Sequence, residues 1–303
     1  METFEGDRPE GLQDPKYEKV ERTLFVLAPA KVNLRLEVLR KRPDGYHEIR
    51  TIFQKISLFD SLRFSLRPGR GIRITTDHPT LPTGERNLVY RAVKAFLKET
   101  RHSLSVEIHI KKGIPIGAGL GGGSSDAAAG LDALNRLLKT PISRKRLMEM
   151  GREIGADVPF FLFNGSAIGR GVGDRLRKIE LPRYFYVLIY PNFEVSTRWA
   201  YENFILTKRR NHFNLQWLLR SKKRIPKLLR NDLEGVVSQR YPEISLMKEM
   251  LLAEGAKGAL MSGSGPTVFG LFNEEGEAQE AFEGLSRRVR ARGWRIFMAR
   301  GLP

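Results

Sequence analysis

Pro115-Ile-Gly-Ala-Gly-Leu-Gly-Gly-Gly-Ser-Ser-Asp-Ala-Ala-Ala-Gly130 is the stretch on which the reading of this chain turns. Five of its first nine residues are glycine, and it then changes abruptly into a helix-forming sequence, expected over 126–138. Just before it, residues 105–110 alternate polar and apolar with the two-residue period of a strand. The order is strand, glycine loop, helix. A loop without Cβ atoms lets backbone N–H groups face inward and approach a ligand closely. Ser124 and Ser125 stand where capping residues belong, at a helix N-terminus carrying partial positive charge. Together these features describe a phosphate-binding site.

Several patterns compete for the loop. It is not a Walker loop, because no Lys-Ser or Lys-Thr follows the glycines. Gly117, Gly119 and Gly122 do satisfy Gly-x-Gly-x-x-Gly. A dinucleotide fold would follow it with a strand ending in an acid about 20 residues on. Here the chain runs instead through Leu137-Leu138 and Thr140-Pro141 into a second helical stretch. A purely structural turn and a kinase loop of another kind remain, and the rest of the chain favours the kinase loop.

The 303 residues suit one large or two moderate domains, and 41% hydrophobic with 28% charged residues is ordinary for a globular chain. No cysteine is present, which excludes disulfides, cysteine-ligated zinc, iron–sulfur clusters and a thiol nucleophile. No apolar run approaches the roughly 20 residues of a membrane helix. Residues 1–22 are polar and rich in Glu, Asp and Pro, unlike a secretory or transit signal. They are expected to form a flexible extension, and the protein is expected to be cytoplasmic with no membrane partner. The net charge is +18, densest over 208–230. That raises nucleic-acid binding as a rival, yet no zinc-finger spacing, aromatic RNP-type strand or basic zipper accompanies it. A solvated basic surface, also suited to polyphosphate ligands, is the plainer reading.

Outward from the loop, strands are expected at 23–28, 32–39, 49–58 and 61–66, with a turn at 42–45. An amphipathic helix is expected at 87–98 and another at 143–154, ended by Gly155. The second half holds an expected strand at 184–190, helical stretches at 196–204, 215–229 and 242–254, a strand at 267–272, a helix at 277–292 and a strand at 294–299. Strands and helices mix without regular alternation or repeats, so the fold class is α+β in two lobes. The expected units are 23–173 and 174–303.

Five segments then converge. Ala28-Pro-Ala-Lys-Val-Asn-Leu34 followed by Pro43-Asp-Gly-Tyr-His47 resembles the N-terminal signature of the 4-diphosphocytidyl-2-C-methyl-D-erythritol kinases, a branch of the GHMP kinase superfamily. The loop 115–128 resembles the superfamily's ATP-binding motif in the longer Gly-Gly-Gly-Ser-Ser form of this branch. Gly155-Ala-Asp-Val-Pro-Phe160 resembles its catalytic-aspartate segment, and Asn231-Asp-Leu-Glu234 and Ser262-Gly-Ser-Gly-Pro-Thr267 its C-terminal motifs. The resemblance runs from about Thr23 to near the C-terminus. It implies a two-lobed GHMP kinase fold with the active site in the cleft between lobes. It also implies transfer of the ATP γ-phosphate to the 2-hydroxyl of the methylerythritol moiety, in the non-mevalonate route to isoprenoid precursors. The implied partner is a small cytidine diphosphate derivative, with no obligate protein partner and no specific nucleic acid. A kinase of homoserine, mevalonate or a sugar shares the phosphate loop but lacks the Asp-Gly-Tyr-His signature.

An alcohol is a poor nucleophile at neutral pH, so the reaction needs positioning, charge neutralisation and a base. Asp157 is the candidate base: it stands in an apolar run, where a carboxylate is costly unless paired or functional. Lys31 is its candidate partner, able to orient Asp157 and neutralise charge on the transferred group. Asn33 lies two residues on, which on a strand is the same face; by resemblance it contacts substrate. Also by resemblance, Tyr46 stacks on the cytosine ring, His47 hydrogen-bonds its edge, and Tyr201, with Thr197 nearby, covers the opposite face. Trp199 and Phe204 are alternatives to Tyr201. Pro115, Ile116, Gly117, Ala118, Gly119, Leu120, Gly121, Gly122, Gly123, Ser124 and Ser125 are expected to bind ATP. Mg²⁺ is expected to bridge its phosphate oxygens, with no protein ligand evident. Ser262, Gly263, Ser264 and Gly265 form a second glycine turn expected near the site. One departure is Asp174 where the family pattern has Glu.

Overall fold

The computed structural model describes residues 22–206 and 227–303. β1 (Arg22–Lys41) and β2 (His47–Arg67) are long antiparallel partners at the centre of the first sheet. β3 (Gly71–Thr76), β4 (Ser105–Lys111), β5 (Ser166–Gly171), β6 (Arg175–Ile179) and the short β8 (Arg230–Asn231) complete it. Its order is β3-β4-β2-β1-β8, with β5 on β2 and β6 on β5. The second sheet is antiparallel, in the order β11-β7-β10-β9, from β7 (Phe185–Tyr190), β9 (Gly258–Met261), β10 (Val268–Phe272) and β11 (Arg295–Arg300).

The breaks expected at 29–31 and near 60 are not breaks. Pro29 removes a ladder donor, but the register slips between Pro29 and Ala30, and the bulge carries both strands through. Five strands, β3, β5, β6, β8 and β9, were not expected. The β5–β6 hairpin straddles the boundary expected at 173/174 and extends the first sheet to Ile179. In the second half, Arg230 and Asn231 return to pair in parallel with Arg35 and Leu36 of β1. Most of the basic stretch 208–230, and of the helix expected at 215–229, lies outside the described residues. So does the expected extension, apart from Arg22, which opens β1.

Four helices cover the first sheet: α1 (Leu88–Thr100), α2 (Gly122–Leu137), α3 (Arg144–Ile154) and α4 (Val158–Leu162). α1 buries Val89, Ala92, Val93 and Phe96, the i, i+3, i+4, i+7 stripe of an amphipathic helix. Asn87 caps it by accepting from the Val89 N–H at 2.8 Å. Phe96 is wholly buried, and its loss to alanine is expected to cost about 3–5 kcal/mol. α5 (Thr197–Glu202), α6 (Glu234–Arg240), α7 (Glu243–Ala253) and α8 (Glu275–Arg290) belong to the second half. Of these, α7 and α8 pack on the second sheet. A further apolar cluster joins the two sheets, from Ala30, Val32, Leu34 and Ile52 to Tyr186, Leu188, Phe269 and Leu271. The lobes thus share a core, and the ends of their elements meet beside the glycine loop.

Candidate active site

The glycine loop feeds α2 earlier than its sequence suggests. Gly121, at φ +72°, is the N-cap, so Gly122, Gly123 and Ser124 already lie in the first turn. Ser124 and Ser125 are therefore not caps, a correction to the expected helix start. The left-handed Gly121 starts the helix, and the loop is tied down before it by the Lys31 N–H donating to Leu120 O at 2.9 Å. Ser125 is buried, and its hydroxyl has no hydrogen-bond partner among the described residues. No side chain caps α2, so its first N–H groups are left for another acceptor. That is the condition an anion needs.

Two of the glycines are fixed by close approach. A Cβ on Gly119 would lie 2.2 Å from the backbone oxygen of Ser262, and one on Gly121 would lie 2.9 Å from the Phe161 ring and 3.1 Å from Lys31 Cε. Both have positive φ, so a side chain at either meets backbone strain and a collision together. The first loop thus packs directly on the second glycine turn. The Ser262 hydroxyl donates to Gly119 O at 3.1 Å, and the Thr267 N–H donates to Ala118 O at 3.3 Å.

Lys31 sits where these segments meet. It is 4% exposed. Its Nζ donates to Asn33 Oδ1 at 2.6 Å and to Gly119 O at 3.1 Å, and lies 3.6 Å from Asp157 Oδ2. Asp157 is the N-cap residue of α4, with its side chain 32% exposed, so the carboxylate is paired and open at once. Asn33 is anchored from behind: its Nδ2 donates to Thr51 Oγ1 at 2.8 Å, and that hydroxyl donates to Arg35 O at 2.7 Å. Its amide oxygen is thereby committed to Lys31.

Two of the expected aromatic residues meet near Asp157. The rings of His47 and Tyr201 stack at 5.1 Å between centroids and 26° between planes. Burial raises the Tyr201 phenol pKa, and the nearby Asp157 charge adds to it. Burial, then the charge of Lys41, lowers that of His47. Tyr46 is 63% exposed. Trp199 is engaged elsewhere, edge-on to Tyr241 with Arg240 over its face, so Tyr201 is the ring that meets His47. Thr197 Oγ1 and Ser264 Oγ are 2.8 Å apart, linking α5 to the second glycine turn. Asp174, the departure from the family pattern, pairs with Arg152 at 2.7 Å and accepts from the Val172 N–H at 3.3 Å.

Three roles escaped sequence reasoning, the first at a residue of a motif already quoted. Asn231 Nδ2 donates to Met261 O at 2.8 Å and Gly263 O at 2.7 Å, holding the second glycine turn. Thr51 fixes Asn33, and only the strand register reveals it. Beneath α2, Lys112 donates to Asp60 and, at 3.0 Å, to Asp126 Oδ2. An acid facing the apolar side of a helix was the signal for that cluster. A cavity of about 500 Å³ lies behind α4, lined among others by Lys55, Ser125, Arg144 and Phe163. Ser125 is the only expected site residue on its wall. Among the described residues no group of three or more His, Cys, Asp or Glu is gathered to hold a metal ion, and no helix is long and apolar enough to cross a membrane.

A glycine loop at an uncapped helix start, pressed between two lobes against a lysine–aspartate pair, defines a small-molecule kinase of the GHMP class. The family model of the GHMP kinases N terminal domain matches residues 87–165, and that of the GHMP kinases C terminal region matches 215–291. A 4-diphosphocytidyl-2-C-methyl-D-erythritol kinase of Citrifermentans bemidjiense is 47% identical over 272 residues, 89% of this chain and 96% of that protein. One of Syntrophus aciditrophicus is 46% identical over 282 residues, 92% of this chain and 99% of that protein. The crystal structure of a 4-(cytidine 5'-diphospho)-2C-methyl-D-erythritol kinase superposes with a TM-score of 0.79 at 36% identity, covering 92% of this chain and 100% of that one. A homoserine kinase from Cytophaga hutchinsonii shares the fold, with a TM-score of 0.73 at 24% identity over 94% of this chain and 96% of its own. The chain belongs to the 4-diphosphocytidyl-2-C-methyl-D-erythritol kinase family of the GHMP kinases.

Proposed function

We propose that the protein transfers the γ-phosphoryl group of ATP to the 2-hydroxyl of 4-diphosphocytidyl-2-C-methyl-D-erythritol, giving the 2-phosphate and ADP, in the non-mevalonate route to isoprenoid precursors. The observation that carries this is the convergence on Lys31 Nζ of Asn33, the Gly119 carbonyl and the open Asp157 carboxylate. Asp157 takes the proton of the substrate hydroxyl as its oxygen bonds to the γ-phosphorus, and the bond to the β,γ-bridging oxygen breaks. Lys31 holds Asp157 toward that hydroxyl and offsets charge on the moving phosphoryl group. Residues 115–125 hold the nucleotide, with the uncapped N–H groups of α2 turned to its phosphates.

The residues present suit ATP through those free donors. Among the described residues no carboxylate cage for Mg²⁺ is gathered; bound with the nucleotide, the ion would neutralise phosphate charge. Asn33, His47, Tyr46, Thr197 and Tyr201 serve the cytidyl substrate, the aromatic rings stacking on its base and His47 reading its edge. The His47–Tyr201 contact then opens to admit the base. Ser262 to Gly265 support the loop from the second lobe. The name shared by the curated relatives supports the same substrate.

The test is ADP release from Mg²⁺-ATP with 4-diphosphocytidyl-2-C-methyl-D-erythritol, beside homoserine and mevalonate. Turnover with the cytidyl substrate alone is expected. Turnover with a control instead would keep the phosphate-loop reading and overturn the cytosine site.

A further inference from the structure

Asp157 is the N-cap of α4, which is only five residues long. A helix so short has no stability of its own, so its place is set by what grips it. The side chain of Asp157 makes no capping bond to it. The grip comes from β1 and β2. Lys31 and Lys55 are direct cross-strand partners, and so are Asn33 and Phe53. Opposed residues of an antiparallel pair project to the same face, as do residues two apart on one strand. Lys31, Asn33, Phe53 and Lys55 therefore form one patch under α4. Lys31 reaches Asp157 at the start of the helix. Lys55 Nζ donates to Phe161 O at 3.0 Å and Phe163 O at 2.7 Å at its end. Between them Phe53 stacks on Phe160 at 4.7 Å, and Lys55 Nζ lies 5.5 Å from the Phe160 ring.

We propose that Lys55 is a positioning residue for the reaction: by tying off the last carbonyls of α4 it fixes where Asp157 stands relative to Lys31 and the glycine loop. This rests on Asp157 being the base. The end of a helix is the favourable place for a cation, since its last carbonyls lack intrahelical donors. Keeping the ammonium there is costly: burial, then the charge of Arg144, lowers its pKa to about 8. Among the described residues the hydrogen bonds of Lys55 Nζ go to these two carbonyls, and an apolar residue facing Phe160 would pack there without that cost.

The experiment compares Lys55→Met, Lys55→Arg and Asp157→Asn with the wild-type enzyme in kcat, KM for ATP and melting temperature. A small misplacement of a catalytic group costs up to about 100-fold. Lys55→Met is expected to lower kcat about 10- to 100-fold with KM for ATP within about twofold, and Lys55→Arg, which keeps donors for both carbonyls, to recover most of the loss. A kcat for Lys55→Met within about twofold of wild type, or a loss as large in KM for ATP as in kcat, would overturn the proposal. If Lys55→Met does not fold, Lys55→Gln, whose shorter amide cannot span both carbonyls, must show the same loss confined to kcat. Asp157→Asn separates the two readings. Its near-normal turnover would sink the base assignment, whereas its loss beside an unaffected Lys55→Met would sink only the role of Lys55.

Discussion

The glycine loop lies between two lysine–aspartate clusters built from the same side chains and put to opposite uses. In front, Lys31 meets Asp157 at 3.6 Å, and the carboxylate is 32% exposed. Beneath α2, Lys112 is clamped by Asp60 and Asp126, all three side chains no more than 4% exposed. Asp60 also accepts the Gly113 and Ile114 N–H groups at 2.8 and 2.9 Å. The closed cluster ties the end of β4 and the loop to α2. It is closed to solvent, whereas the open pair is reachable and on the proposed mechanism exchanges a proton with the substrate. Access, rather than residue type, is what distinguishes the two pairs.

Breaking the closed cluster is expected to have the largest effect. Lys112→Met leaves two buried carboxylates without their counter-ion and is expected to lower unfolding free energy by about 3–5 kcal/mol, measured by denaturant titration. A loss under about 1 kcal/mol would mean the cluster is already hydrated. The open pair answers in rate. Asp157→Ala is expected to cut kcat at least about 100-fold, about 2.7 kcal/mol in the barrier, while ATP affinity and melting temperature barely move. Turnover near wild type would contradict the base assignment.

A smaller effect tests the aromatic side of the site. Tyr46→Ala is expected to raise KM for the cytidyl substrate about tenfold with little change in kcat, the worth of one stacked base. An unchanged KM would remove Tyr46 from the substrate site. The subtlest prediction concerns pH. Burial holds the Asp126 carboxyl up at about 7, with Lys112 pulling down and Asp60 pushing up. Between an ordinary value of 3.8 and that level, the folded protein binds a proton the unfolded chain does not. Its stabilising contribution is complete below the lower value and is lost as pH rises to the upper one. Asp126→Asn lacks this loss, so its stability relative to wild type should climb from pH 4 to 7 in paired melting curves. A flat difference would show that Asp126 is ionised throughout.

Much of the candidate site was legible because its residues lie in short contiguous motifs. Lys31 and Asn33 share a strand face by spacing alone, and the glycine run announces a loop that needs positive φ. The start of α2 was not legible. Glycine is a poor helix former, so the helix was expected to begin after the serines; a Cβ at Gly121 or Gly122 would crowd Lys31, Phe161, Ile114 and Asp60, a closeness of approach that only the tertiary structure shows. The short β3, β5 and β6 carry little periodic signal of their own; β3 exists because β4 offers an edge, β5 because β2 does, and β6 because β5 in turn does. The sharing of the first sheet by Arg230 and Asn231 is a pairing across almost 200 residues, which no local pattern encodes.

The amino-acid sequence by itself determined the class of fold, the phosphate loop, and the identities of Lys31, Asp157, Tyr46 and His47 as candidates, because each rests on local conformation or on a motif of a few residues. Only the tertiary structure decided that Lys112 is clamped by Asp60 and Asp126, that Tyr201 rather than Trp199 faces His47, that Thr51 and Asn231 hold the site from behind, and that Lys55 grips the far end of α4. These are distances between segments remote in the chain. They are set by strand register and by the packing of a core that both lobes share, and a register shift of one residue would turn the face bearing Lys31, Asn33 and Lys55 away from α4.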